Sequence, residues 1–150
     1  MKIDLTPLPP PYVEFLGLLQ KFHIDYMLVG GWAVSAYSSQ RVPGYLDVLV
    51  RVSPDSMKSL QQALLAFHSA PIDLTAFSVP GHTYRIGSNA EMIVLMNQIQ
   101  GIDFGPAWTR RETTLQDAMP IHIIARHDLI LNKQAVGRPK DLTDLAALKI

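Results

Sequence analysis

Three groups of residues in this 150-residue chain have types and spacings that could do chemistry. The first is Gly30-Gly31, between the apolar run Met27-Leu28-Val29 and a helical pattern that starts at Trp32. Glycines at such a junction let backbone N–H groups approach an anion at a helix N-terminus, where the dipole favours phosphate. The same pair serves equally well as a plain tight turn. The second is Asp47, a carboxylate inside the apolar run 45–52. Such a group requires a partner, a metal or an exposed strand end, because an unpaired charge is costly to bury. A salt bridge to Arg41 or Arg51 is the structural alternative. The third is the set Lys133, Arg138, Lys140, Asp141 and Asp144 around a helix break. Asp141 and Asp144 are three apart, so they share one face early in the last helix, where negative charge is favoured. Capping and surface ion pairs would use the same residues.

Several chemistries are absent. No cysteine is present, which removes disulfides, thiolate metal sites and cysteine nucleophiles. The five histidines show no HxxxH or HxH spacing, which favours surface or satisfied interior roles over a zinc site. Neither G-x-x-x-x-G-K-[ST], G-x-G-x-x-G nor G-x-S-x-G occurs. Thirteen basic residues balance thirteen acidic ones, so no global field favours a nucleic acid or an anionic membrane. The stretch 26–37 is too short for the roughly 20 residues of a membrane span, and no export signal is visible, so a cytoplasmic location is expected.

The pattern of elements places these residues in one expected α/β domain over 1–150. Residues 1–11, with four prolines, read as an extended arm. Apolar spacing then predicts a helix over 12–22, a strand over 27–29, a helix over 32–39 and a strand over 45–52. Ser53-Pro54 reads as an N-cap and first helical residue. Residues 69–90 are weakly patterned, with a short strand near 83–86, followed by a strand over 91–96. A short helix over 103–111, a strand over 120–125 and helices over 128–136 and 139–149 complete the series. Gly137 and Pro139 split the last two.

Together these pieces resemble a known family. Leu28-Val29-Gly30-Gly31-Trp32-Ala33-Val34, followed by Arg41 and Asp47-Val48-Leu49-Val50, is similar to the minimal nucleotidyltransferases. Their usual pattern is a Gly-Gly turn, a helix and then Arg-x-Thr-x-Asp-h-Asp on the next strand, where h is apolar. Gly101-Ile102-Asp103-Phe104, Ala107-Trp108 and Arg110 match a segment of small members of that group. The tail, with Asp128-Leu129-Ile130, Lys133, Gly137-Arg138-Pro139-Lys140-Asp141-Leu142 and Asp144-Leu145, matches their C-terminal helices, and it is also similar to the Lys…Arg…Lys-Asp-x-x-Asp motif of AbiEii-type toxin nucleotidyltransferases. The resemblance spans about residues 12–149, and the tail is its most specific part.

The resemblance implies a small mixed sheet flanked by helices, with two C-terminal helices completing a cleft. In active relatives three carboxylates on neighbouring strands hold two Mg²⁺ ions, which bind the triphosphate and stabilise the leaving pyrophosphate. Carried onto this chain, Asp47, Lys133 and Asp141 take the catalytic positions, and Gly30, Gly31, Arg41 and Arg138 bind nucleotide. The sequence departs from the pattern at the chemistry itself. Tyr45 stands at the first metal-binding aspartate, Pro43 at the threonine and Ile93 at the third aspartate. Losing two anionic ligands should empty a paired Mg²⁺ site. Glu91, with the strand parity of Ile93, is the candidate substitute as a metal ligand beside Asp47, and Asn97 shares that parity. The leading expectation is thus a nucleotidyltransferase-like protein with impaired NMP transfer and a residual NTP- or phosphate-binding cleft. The alternatives are an active Mg²⁺-dependent transferase using Asp47 with Glu91 or Asp141 and an unknown acceptor, and a non-catalytic module that binds a protein partner.

Overall fold

The computed structural model describes residues 3–38, 43–67, 72–87 and 91–149. Its elements in chain order are α1 (Pro10–Lys21), β1 (Tyr26–Val29), α2 (Gly30–Tyr37), β2 (Leu46–Val50), α3 (Pro54–Ala66), α4 (Leu74–Phe77) and β3 (Thr83–Ile86). β4 (Ile93–Met96), α5 (Phe104–Arg110), β5 (Glu112–Gln116), β6 (Met119–Ile123), α6 (Arg126–Val136) and α7 (Pro139–Leu148) follow. Six strands form one mixed sheet in the order β3-β4-β2-β1-β6-β5. β2 pairs antiparallel with β1 and parallel with β4, while β1 pairs parallel with β6. The expected α/β architecture, a small mixed sheet flanked by helices with two C-terminal helices, is therefore the observed one. Among the described residues no helix is long and apolar enough to cross a membrane.

Pleating explains how β2 can carry a charge through the core. Alternate residues of a strand point to opposite faces. Leu46, Val48 and Val50 occupy one face and are fully buried with Ile93 and Leu95 of β4. Asp47 and Leu49 occupy the other face, beside Val94 and Met96. That second face opens to solvent at the end where β1 turns into α2 and β2 begins.

Local chemistry accounts for the element ends. α1 starts at Pro10, so Pro10 and Pro11 fill first-turn positions that need no N–H, and the helix begins earlier than expected from the prolines. The segment before it is held rather than loose: Leu8 N–H donates to Gln116 Oε1 at 2.8 Å, and Asp4 N–H to Ala36 O at 2.9 Å. Ser53 and Ser56 form a reciprocal capping box at the start of α3. Gly137 ends α6 at φ +67°, and its N–H donates to Lys133 O.

Two elements were not expected. α4 is a single turn capped by the Asp73 side chain, which accepts from Ala76 N–H at 3.2 Å. β5 forms a hairpin with β6 through Asp117-Ala118, both at positive φ (52° and 68°). This tight turn type is normally signalled by Asn-Gly or Asp-Gly, and Ala118 hides it. Asn97, expected on the Glu91 face, instead anchors a loop. Its Oδ1 accepts from Gly81 and His82 N–H, and its amide donates to Phe77 O and Val79 O.

A left-handed alanine carries strain of about 1 kcal/mol that glycine lacks. Ala118→Gly should therefore raise the thermal midpoint by roughly 2–4 °C in a chain of this size. A lowered midpoint by differential scanning calorimetry would contradict the hairpin geometry.

Candidate functional site

The cleft lies where β1 passes into α2 and the α6–α7 turn folds over the exposed end of β2. Gly30, Gly31, Asp47, Lys133, Arg138 and Lys140 line a cavity of about 460 Å³. An adjoining opening of about 560 Å³ shares Gly31, Asp47, Arg138 and Lys140, and adds Tyr45 and Arg85. Five of the sequence-derived positions, Gly30, Gly31, Asp47, Lys133 and Arg138, are thus brought together. Arg41 lies outside the described residues.

Gly30 is fixed by Asp47. It adopts φ +64°, a left-handed conformation that favours glycine. A Cβ built there would collide with Asp47 Oδ2 and lie 2.9 Å from its Cγ. The carboxylate therefore rests on the bare backbone of the turn, in register with Val29 across the β1–β2 pair. Arg51, a suggested salt-bridge partner for Asp47, pairs instead with Asp25 at 2.8 Å, and its guanidinium stacks over the Phe104 ring.

The parallel register of β2 on β4 corrects the expected third ligand position. Ile93 pairs with Leu46, on the buried face away from the cleft, whereas Val94 pairs with Asp47. The side chain beside Asp47 on the neighbouring strand is thus Val94, with Tyr45, 45% exposed, at the strand's start. Glu91 is exposed, precedes β4 and lines neither opening. Its charge acts on Tyr12 of α1, whose hydroxyl donates to Met92 O at 3.2 Å. The structure does not join Glu91 to Asp47 as a ligand pair. Among the described residues, no three His, Asp or Glu side chains gather closely enough to share a metal ion.

The opposite wall is a buried charge cluster. Lys133 Nζ, with a side chain 6% exposed, lies 3.2 Å from both Asp141 Oδ1 and Asp144 Oδ2. Asp141 is inaccessible to solvent and also accepts from Arg138 Nε at 2.7 Å, Nη2 at 3.3 Å and the Arg138 backbone N–H at 3.0 Å. Burial alone would raise the Asp141 pKa, but the hydrogen bonds from Arg138 and Lys133 outweigh it and bring it down to about 2. Asp141 is therefore saturated by its neighbours and turned away from the cleft, while the two cations it holds face the cavity. A second such tie joins α5 to α6, where Arg110 grips the buried Asp128 through Nε at 3.0 Å and Nη2 at 2.8 Å.

Arg85 and Lys140 are cleft residues to which sequence reasoning assigns no site role: nothing in the sequence singles out Arg85, and Lys140 is named only within the charged tail. Lys140 lies within the recognised tail, adjacent to the expected Asp141. Arg85 is on a four-residue strand inside the weakly patterned stretch, and only the pairing of Arg85 with Val94 shows that it faces the cleft. His122 is a satisfied histidine: its Nδ1 lies 2.9 Å from Thr113 Oγ1 and its ring packs between Tyr26 and Trp108.

The fold that carries this cleft is similar to that of solved nucleotidyltransferases. The lincosamide antibiotic adenylyltransferase LnuA, bound to lincomycin, matches with a TM-score of 0.63 and 15% identity, over 95% of this chain and 96% of that one. The solution structure of the antibiotic-resistance factor ANT(2'')-Ia matches at 0.59 and 12% identity, over 92% and 80%. An antigenic nucleotidyltransferase-like protein from Paracoccidioides brasiliensis matches at 0.53 and 18% identity, over 95% and 78%. No protein-family model and no curated protein matches the chain. At these identities the likeness establishes the fold, which is that of the nucleotidyltransferases.

Three outcomes follow from the geometry. Asp141 titrates below its ordinary value, so its stabilisation is fully present above about pH 4 and fades as the pH falls toward 2. That contribution is about 2 kcal/mol. Urea titrations of the wild type from pH 5 to 2 should show the loss, and Asp141→Asn should be less stable at pH 7 by about 3–5 kcal/mol, because Lys133 is left underpaired. Gly30→Ala should displace Asp47 and destabilise by about 1–3 kcal/mol; a variant as stable as the wild type in the same assay would refute the close approach.

Proposed function

We propose that this chain is a nucleotidyltransferase-fold protein that binds a nucleotide through its phosphates and has lost effective two-metal transfer of a nucleoside monophosphate. The observation carrying this reading is the β2–β4 register. Among the described residues lining the cleft, Asp47 is the carboxylate, and its neighbours on that face are a phenol, Tyr45, and an aliphatic side chain, Val94.

The donor set does not fit a pair of Mg²⁺ ions. Mg²⁺ requires near-octahedral oxygen coordination and is usually anchored by carboxylates plus substrate phosphates. A valine side chain offers no oxygen and a neutral phenol offers a weak one. Asp141 and Asp144, the other nearby acids, already face Lys133. Gly30 and Gly31 keep the start of α2 bare, and the first amides of a helix lack intrahelical partners, which suits phosphate oxygens. Lys133 and Arg138 add positive charge to the same wall, with Asp141 as the positioning residue that orients both.

Incubation with each of the four labelled NTPs and Mg²⁺ or Mn²⁺ should give no transfer and no pyrophosphate release above background, while at least one NTP raises the thermal midpoint. Robust pyrophosphate release, abolished by Asp47→Ala, would establish the active-transferase alternative instead. Restoring the missing acids with the double variant Tyr45→Asp/Val94→Asp should create a Mg²⁺-dependent increment in the NTP-induced shift.

A further inference from the structure

The charge lining the cleft is opposite in sign to what paired dications require. Lys133 is balanced by Asp141 and Asp144, and Arg138 is engaged with Asp141 through Nε and Nη2. Arg138 Nη1 takes no part in that pair, and the side chain is 54% exposed. Arg85 and Lys140 line the same opening as Asp47 and Arg138, and among the described residues neither forms an ion pair. In the row Arg85–Val94–Asp47, the two strand spacings separate the outer Cα atoms by about 10 Å, so the cation and the acid flank an apolar floor. A divalent cation entering between Arg85, Arg138 and Lys140 is repelled by Arg85 and Lys140, which stand outside any ion pair among the described residues, and by the exposed edge of the Arg138 guanidinium. One carboxylate, Asp47, attracts it. A chain of phosphates meets the reverse.

We infer that the cleft holds the phosphate chain of a nucleoside triphosphate without a divalent cation, with Arg85, Lys140 and the Nη1 group of Arg138 as its counter-charges. The inference rests on the nucleotide-binding reading above and adds to it the ionic form of the ligand and the residues that take it. The guanidinium groups supply planar, charge-assisted donors and the ammonium a compact point charge, so together they neutralise an extended polyanion. Neither Arg85 nor Lys140 belongs to the buried cluster or to the apolar row that sets the strand registry, so both can be changed without disturbing the walls.

The test is isothermal titration calorimetry of the full chain with ATP and, separately, with inorganic tripolyphosphate, each in EDTA and in excess Mg²⁺. Both ligands should bind in EDTA at least as tightly as with Mg²⁺, and both affinities should fall as salt is raised. Arg85→Gln and Lys140→Gln should each weaken binding in EDTA by roughly tenfold, with unchanged circular dichroism. ATP binding that vanishes in EDTA and returns with Mg²⁺ would overturn the inference while leaving nucleotide binding intact. No ATP binding in either condition would overturn the functional reading itself. Unaltered affinity in both glutamine variants would remove these residues from the site. ATP binding without tripolyphosphate binding would move recognition to the base and sugar, and would also overturn the inference.

Discussion

A lysine ammonium buried between two helices is several kcal/mol too costly unless its charge is met, and here Asp141 and Asp144 meet it from one side of α7. Because the two acids lie three residues apart, they can reach Nζ together only when α7 is set at one angle and one rotation against α6. The bond from Arg138 N–H to Asp141 then closes the first turn of α7 on that anchor. Everything at the mouth of the cleft on this side inherits its position from the cluster. Arg138 and Lys140 flank Pro139 at the helix start, and Gly137 makes the reversal that places them there. The cluster thus converts a costly burial into a fixed geometry, and the cleft wall is its product.

The facing wall is set by a different constraint, the registry of β2 with its neighbours. Asp47 lies against Gly30 because Val29 and Asp47 are partners across β1–β2, and the turn immediately after Val29 has no side chain to push the carboxylate away. The same registry decides what stands next to Asp47 on β4. A shift of one residue would exchange the faces of the whole strand, bringing Ile93 into the cleft and Val94 into the core. The buried row of Leu46, Val48, Val50, Ile93 and Leu95 makes that shift prohibitive.

The sequence was most legible where one residue type had one physical reason to be there. Gly137 as a left-handed helix end, Ser53 as a cap, the Gly-Gly turn and the charged tail all fall where their chemistry placed them. It was least legible where tertiary pairing chooses among equivalent local options. Ile93 and Val94 are interchangeable in an apolar run, and only the parallel pairing with β2 says which faces the cleft. Arg51 shares the strand parity of Asp47, but it lies four residues on, past the far end of β2, where Asp25 holds it. The β5–β6 hairpin was hidden because Ala118 occupies a conformation that glycine usually marks. Arg85 was invisible because a four-residue strand carries too little periodicity to reveal a face. Asn97 shows the converse: a polar residue beside a strand that reads as a possible ligand, yet is consumed by four loop hydrogen bonds.

These two constraints explain why the scaffold tolerates the side chains found at its chemical centre. The groups that hold the cleft in shape are Lys133 with Asp141 and Asp144, Arg110 with Asp128, and the apolar registry of β2 and β4. None of them depends on Tyr45 or Val94. Three carboxylates converging on one face would repel one another in the absence of bound cations and would raise one another's pKa values. A phenol at the solvent-facing end of the strand and a β-branched residue in its pleated middle remove that repulsion and suit the sheet. Folding therefore does not call for acids at positions 45 and 94, whereas it does call for Asp141. The residues that shape the cleft and the positions to which the proposed reading assigns the lost metal chemistry are therefore separate. In the proposed site the basic groups around Asp47 set the sign of the field, and that sign favours an anion.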